Sequence, residues 1–311
     1  MRAHLILNPE ARGVTPALTR VIQAAMEGRY KLESTTTHGR DSATEIARAA
    51  AESGTELIVG FGGDGLINEI TNGIAGTDST LAIIPGGTMN VFARNIGVRK
   101  DPLEATDAIL RWTDDKKTAQ FMLGEVRMTR ESTISSRLFT FACGCGFDAE
   151  AAARVEAHKA TKRRFGEPYF YVAAFATFLN SYFTREPFIE CEVAGMKRKV
   201  VMAIALAPGP YAYLAGRALR LSPSDEPFRR RELTRLDLFV VEKMRYWHVP
   251  SYALGAMLTS RFGPGTENLM AIETANLSAQ EGFAIHVDGE PMPKVNSVSI
   301  GRSQLSLRVL I

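Results

Sequence analysis

Leu57-Ile-Val-Gly60-Phe-Gly62-Gly63-Asp64-Gly65-Leu66-Ile67-Asn68-Glu69-Ile70-Thr71-Asn72-Gly73 is the stretch on which the fold turns. Residues 57–61 are an apolar run closed by glycines, which reads as a buried strand of a parallel sheet. Leu66, Ile67, Ile70 and Ile74 then recur at helical spacing, and the pattern stops between Gly73 and Gly76. Between strand and helix, Gly60, Gly62, Gly63 and Gly65 let main chain approach a phosphate closely. The helix start adds unpaired N–H groups and a positive dipole end. Gly60, Gly62 and Gly65 also satisfy G-x-G-x-x-G literally, but that fingerprint closes the first strand of its unit and has an acid ~20 positions on. Here the loop follows the third strand, and the next strand closes on Pro85-Gly86-Gly87 with no acid. The dinucleotide reading therefore fails on context.

Outward from this loop, residues 3–7 and 81–84 are two more buried-strand runs, and 30–36 is a weaker one rich in threonine. Ser42-Ala-Thr-Glu45 has the form of a capping box opening a helix over 42–52, with Ile46, Ala47 and Ala50 on its apolar face. Such alternation predicts a parallel α/β domain over residues 1–120. Pro85-Gly86-Gly87-Thr88-Met89-Asn90 repeats the strand–glycine–helix logic. Taken alone it is a turn with Thr88 as helix cap. Two such loops on successive strands put glycines at neighbouring strand ends, where open α/β sheets bind ligands. Asn8-Pro9 after the first strand and Thr37 after the second line the same crevice, which points to a nucleotide site. No G-x-x-x-x-G-K-[ST] occurs, so backbone amides rather than a loop lysine would carry the phosphates.

Past residue 120 short alternating segments dominate, at 121–127, 138–142, 188–193, 200–207, 236–241, 268–273, 283–287 and 298–300. They predict an antiparallel β-sandwich domain over 121–304, joined through the polar connector 114–117. The last strand, 305–311, is a candidate to return to the first domain. Helical stretches interrupt at 149–159 and 168–182. The 311 residues, 45% hydrophobic and 23% charged, suit about two domains. A net charge of +3 is too mild to argue for nucleic acid. Cys143, Cys145 and Cys191 have neither disulfide nor zinc spacing and fit the core of a protein in a reducing cytoplasm. The five histidines, His4, His38, His158, His248 and His286, lack metal-ligand spacing and read as structural or surface residues. The apolar start is too short for a signal peptide, and window 169–183 is shorter than the ~18–20 residues of a bilayer crossing. The expectation is a cytoplasmic protein whose contact with membrane is at most peripheral.

Residues 62–73 resemble the G-G-D-G-T-x-N-E-x-x-N-G block of the diacylglycerol kinase/sphingosine kinase catalytic family. Residues 85–94 resemble its P-x-G-T-x-N-D-F-A-R block, residues 8–13 its opening segment, and Asp288-Gly289-Glu290 its D-G-E. Gly146-Phe147-Asp148-Ala149 and residues 162–169 are similar to its middle region. G-G-D-G alone is shared with NAD kinases. The resemblance implies an NAD kinase-like α/β domain followed by an antiparallel β-sandwich domain, and an ATP- and Mg²⁺-dependent lipid kinase acting at a membrane surface, most simply on diacylglycerol. A ceramide or sphingoid-base kinase, or a nucleotide-binding protein without catalysis, are the alternatives. ATP contacts are implied for Asn8, Pro9, Glu10, Ala11, Arg12, Thr37, Gly62, Gly63, Asp64, Gly65, Leu66, Ile67, Asn68 and Thr88. Glu290 corresponds to the proton acceptor, with Asp288 beside it. Leu66, Arg12 and Val91 stand where the family has threonine, glycine and aspartate. Of its structural-metal segment only Leu236-Asp237 matches, so no metal ligands are carried over.

Phosphoryl transfer needs positioned phosphates, neutralised charge and a group to take the hydroxyl proton. If the chain runs extended through Asp288 and Glu290, both side chains share a face, and the pair can split roles between metal and base. The competing reading of residues 287–291 is a simple Asp-Gly hairpin turn. Asp64 is a partner for Mg²⁺ or ribose, or a helix cap at 66; Asn68 and Glu69 add polar groups in the first turn. Tyr169, Phe170, Tyr171, Phe175, Phe178 and Phe183 either pack the core or accept an acyl chain. Phe228-Arg-Arg-Arg231 is either a dock for anionic lipid or a solvated loop, and the basic run 162–164 is read as solvated surface.

Overall fold

The computed structural model describes residues 1–115, 117–158, 167–182, 185–214, 216–222, 235–245, 255 and 262–311. The basic runs 162–164 and 228–231, and residue 159 of the expected helix 149–159, lie outside them. The chain forms two compact units, Met1–Leu123 with Gln304–Ile311, and Gly124–Ser303.

The first unit contains β1 (Arg2–Leu7), α1 (Pro16–Glu27), β2 (Lys31–Thr36), α2 (Ser42–Glu52), β3 (Leu57–Gly62), α3 (Asp64–Ile74), β4 (Thr80–Pro85), α4 (Val91–Asn95) and α5 (Pro102–Asp115). β1 pairs in parallel with β2 and β3, and β3 with β4. Every residue of β3 and β4 is buried, as parallel strands covered on both faces require. β2, at the edge, is mostly exposed, which explains why its apolar signal is weak. α1 starts with Pro16 behind a Thr15 cap, whose Oγ1 accepts the Leu18 N–H at 3.3 Å. Its buried Ile22 and Met26 join Leu5, Val59, Phe61, Ile84, Ile109 and Trp112 in one core. The Tyr30 hydroxyl donates to the Ile109 carbonyl at 2.6 Å and ties β2 to α5.

The second unit is antiparallel. Its strands are β5 (Thr118–Arg130), β6 (Thr133–Phe139), β7 (Ala142–Gly146), β8 (Ile189–Val193), β9 (Met196–Val200), β10 (Met202–Leu206), β11 (Ala212–Leu214), β12 (Arg217–Leu219), β13 (Leu236–Val241), β14 (Thr266–Ile272), β15 (Thr274–Val287) and β16 (Glu290–Leu310). β5 begins in the first unit, and β16 ends there, its Arg308 and Val309 pairing in parallel with Thr80 and Leu81 of β4. β15 pairs through its first part with β8 and through its last part with β7, with register shifts against β16 between Ser278 and Ile285. Side chains of β6, β7, β8, β13 and β15 share one core, including Phe139, Cys145, Cys191, Leu238, Phe283 and Ile285. α6 (Phe147–Ala157) and α7 (Glu167–Thr177), the latter running into the π-helical turn Phe178–Tyr182, complete it.

Several expected boundaries move. Segment 138–142 is not one strand but the end of β6 and the start of β7, because the main chain at Thr140–Ala142 is drawn off to the Asp288 carboxylate. Segment 200–207 divides at Val201, whose carbonyl accepts the Phe147 N–H and starts α6. The single strands expected at 298–300 and 305–311 are parts of β16. All three cysteines are free and buried. Burial pushes the Cys191 thiol up to about 11. Its hydrogen bond with Cys145, together with burial, holds Cys143 well above the ordinary thiol range.

Candidate functional site

Register sets the site in the first unit. Leu7 lies opposite Thr36 and Phe61, Phe61 opposite Ile84, and Gly62 opposite Pro85. The residues that follow, Asn8, Thr37, Gly63 and Gly86, therefore leave the sheet side by side at its carboxyl edge. The loops are knitted main chain to main chain: Asn8 N–H to Phe61 O at 3.1 Å, Thr37 N–H to Leu7 O at 2.8 Å, Gly86 N–H to Gly62 O at 2.7 Å and Gly13 N–H to Gly86 O at 2.8 Å. Glycine is demanded by contact. A Cβ on Gly87 would lie 2.5 Å from the Gly63 Cα, and one on Gly13 would lie 3.0 Å from the Gly86 oxygen. The structure thus brings the three glycine segments against one another, while the first N–H groups of α3 cannot be used inside their own helix.

The side chains are distributed differently from expectation. Asp64 is the first residue of α3, and its Oδ1 accepts the Phe92 N–H at 3.3 Å. It caps α4 across the gap between loops rather than its own helix at 66. Thr88 is not a cap: that position is Asn90, at φ +48°, whose amide exchanges hydrogen bonds of 3.0 and 2.9 Å with the Gly87 main chain. The capping box at Ser42 does not form either, because Ser42 Oγ bonds to Gly39 and His38. The α2 N-terminus is instead served by Glu69, whose carboxylate accepts the Asp41 and Ala43 N–H groups, both at 3.0 Å. Leu66, Ile67 and Asn68 are buried. Leu66 packs over Gly62, Ile67 over Gly60, and Asn68 accepts from the Asn72 amide, so these three side chains turn inward. In the first loop Asn8 Oδ1 accepts the Glu10 N–H at 2.9 Å and Ala11 N–H reaches the Asn8 carbonyl, leaving Pro9, Glu10 and Arg12 exposed.

In the second unit the D-G-E segment is a turn, not extended chain. Asp288 and Gly289 have φ of +49° and +77°, the geometry of a tight hairpin that pairs Val287 with Glu290. The expected shared face of two carboxylates is therefore corrected. Asp288 is buried, and its carboxylate accepts the Thr140 N–H and hydroxyl, both at 2.8 Å, the Phe141 N–H at 2.9 Å and the Ala142 N–H at 3.1 Å. Glu290 is more open, and its Oε2 lies 3.4 Å from the Arg137 guanidinium of β6. Two residues from the turn, His286 Nε2 meets Asp148 Oδ2 at 2.5 Å, and Tyr211 donates to Asp148 Oδ1 at 2.7 Å. Arg137, Asp148 and Tyr211 carry no local signal that would have joined them to the D-G-E turn. In the segment matched to the family's metal region, Asp237 accepts from Ser222 and from the Ala271 N–H at 2.5 and 2.9 Å.

Residues 2–121 match the diacylglycerol kinase catalytic domain model. The matched residues make up most of the first unit. Over 114 residues the chain is 40% identical to a diacylglycerol kinase of Bacillus subtilis, which is 35% of this chain and 38% of that protein. Over 117 residues it is 34% identical to one of Staphylococcus epidermidis, 35% and 36% of the two chains. The match thus spans little more than a third of these relatives. A Bacillus anthracis structure assigned to the diacylglycerol kinases superposes with a TM-score of 0.73 at 21% identity, over 99% of this chain and 96% of the other. An NAD kinase from Archaeoglobus fulgidus, solved with ATP, superposes at 0.53 and 12% identity, over 100% and 94%. The NAD kinase-like fold, with parallel strands first and antiparallel strands after, is accordingly that of the whole chain. The glycine loops lie inside the matched diacylglycerol kinase catalytic domain; the D-G-E turn lies beyond it.

Proposed function

We propose that the protein is an ATP-dependent lipid kinase that transfers the γ-phosphate to a lipid hydroxyl, that of diacylglycerol in the first instance. The observation that carries this reading is the backbone-to-backbone packing of Gly13, Gly62–Gly63 and Gly86–Gly87 at adjoining strand ends, within the residues that match the diacylglycerol kinase catalytic domain. A phosphate chain laid on these loops meets main-chain N–H groups and the α3 dipole, with exposed Arg12 able to add a cation. Asn8, Thr37 and Thr88 would line the nucleotide, while Leu66, Ile67 and Asn68 offer main chain only. Among the described residues no three His, Cys, Asp or Glu side chains cluster closely enough to hold a metal unaided. Asp64 fits a metal that is held chiefly by phosphates. When bound, Mg²⁺ supplies neutralisation of the transferring charge. Glu290, the open carboxylate of its turn, accepts the lipid hydroxyl proton, and Arg137 fixes its direction. Asp288 serves by holding the turn.

Peripheral contact with a membrane is part of the same proposal. Val172, Phe175 and Leu179 are exposed at helical spacing along α7 and its π turn, whereas Ala173, Phe178 and Tyr182 are buried. The helix expected to be either core or acyl-binding is therefore split: one side packs, and the other offers apolar surface of the kind that partitions to a lipid interface. The deciding assay supplies γ-labelled ATP with diacylglycerol, ceramide and sphingoid bases in mixed micelles. The expected result is label in the organic phase with diacylglycerol, reduced at least about tenfold in Glu290→Gln. Label confined to water-soluble products would overturn the lipid assignment.

A further inference from the structure

His286 is 1% exposed and Asp148 6%, and nothing in the proposed phosphoryl transfer uses either. Their placement is built into the fold. A Cβ on Gly144 would lie 2.3 Å from both Asp148 Oδ2 and His286 Nε2, so β7 carries glycine where the two side chains meet. Asp148 sits in the first turn of α6, where a helix start favours negative charge, and Tyr211 donates to its other oxygen. The opposite edge of the ring decides the meaning of this arrangement. Gly289 N–H donates to His286 Nδ1 at 3.2 Å. An amide N–H can only donate, so Nδ1 is the acceptor and the ring proton sits on Nε2, directed at Asp148. Tyr211, Asp148, His286 and Gly289 thus form one hydrogen-bonded chain that ends on the Asp288–Gly289 peptide, one residue before Glu290.

We infer that His286 is a positioning residue for Glu290: oriented by Asp148 and Tyr211, it fixes the Gly289 peptide and with it the direction in which the Glu290 carboxylate leaves the turn. Asp288 anchors the same turn from its other side through Thr140–Ala142, and Arg137 holds the carboxylate tip. Among the contacts that hold the turn, His286 supplies the one to the Gly289 N–H. The inference rests on the kinase reading and on Glu290 as its base.

The test compares kcat and KM of the full chain for ATP and diacylglycerol in His286→Leu, His286→Asn, Tyr211→Phe and Glu290→Gln. Asparagine can present an amide oxygen where Nδ1 stands and keep the Gly289 bond; leucine cannot. His286→Leu is expected to lower kcat about 30-fold or more with KM for ATP unchanged, whereas His286→Asn recovers activity to within about fivefold of wild type. Tyr211→Phe is expected to lower kcat about threefold. Should His286→Leu not fold, the other variants carry the comparison, and ¹⁵N spectroscopy of the ring in the wild-type protein reads the tautomer without any assay. A proton on Nδ1, or an asparagine variant no better than leucine, overturns the inference. So does full kcat in His286→Leu when Glu290→Gln is inactive, and that outcome leaves the kinase reading standing. A wild-type chain inert toward every lipid alcohol overturns both.

Discussion

Asp288 and Glu290 sit two residues apart and do different work, and the difference is measurable. Removing the Asp288 carboxylate leaves three N–H groups and a hydroxyl around Thr140–Ala142 without their acceptor. Asp288→Ala should therefore cost about 2–4 kcal/mol, read as a lower urea midpoint. Glu290→Gln weakens an ion pair that is largely out of solvent but keeps an amide oxygen opposite Arg137, so it should lower that midpoint less than Asp288→Ala does while activity falls. Gly87→Ala belongs at the same scale. Its new Cβ meets backbone at 2.5 Å, not the end of a flexible side chain, so a loss of about 1–3 kcal/mol together with ATP binding is expected, by denaturation and nucleotide titration. The glycines and the D-G-E motif were legible in the sequence as residue types. Which carboxylate was buried was not, because the groups that donate to Asp288 belong to residues nearly 150 positions away.

At the level of helices and strands, local pattern located most segments and misassigned their ends. Ser42 and Thr88 have the chemistry of caps, yet Glu69 and Asp64 do the capping, since tertiary contact brought carboxylates to those N–H groups. Glu69→Ala should accordingly destabilise by about 1 kcal/mol through fraying of α2, seen as faster amide exchange at residues 41–43. On β1, burial holds the His4 ring below the ordinary histidine value, opposed by Glu33, and Nε2 bonds to Thr35 at 2.9 Å. A lowered folded value means that the unfolded chain takes the proton first. The stability due to neutral His4 is therefore present above about pH 6.5 and declines as pH falls toward the folded value. His4→Gln should flatten the decline of stability as pH falls below about 6.5, by urea titration at each pH.

For the molecule as a whole, two kinds of periodicity announced two kinds of sheet, because parallel strands under helices are continuously apolar and antiparallel ones alternate. Long-range pairing left no such trace: β15 changes partner along its length, and β16 is a 21-residue strand that the sequence breaks into pieces. The buried cysteines give a check at this scale, since native protein should resist a thiol reagent at neutral pH and react at three sites once unfolded. Residues 124–303 interrupt the α/β unit, and the segment that lies along the outer edge of β4 comes from 304–311. On the ribosome, that edge stays open through the translation of everything in between, exposing peptide groups able to recruit a neighbouring nascent chain. Shortening the chain by those eight residues should yield aggregates rather than a smaller monomer, which makes this segment of β16 the latch on the α/β unit.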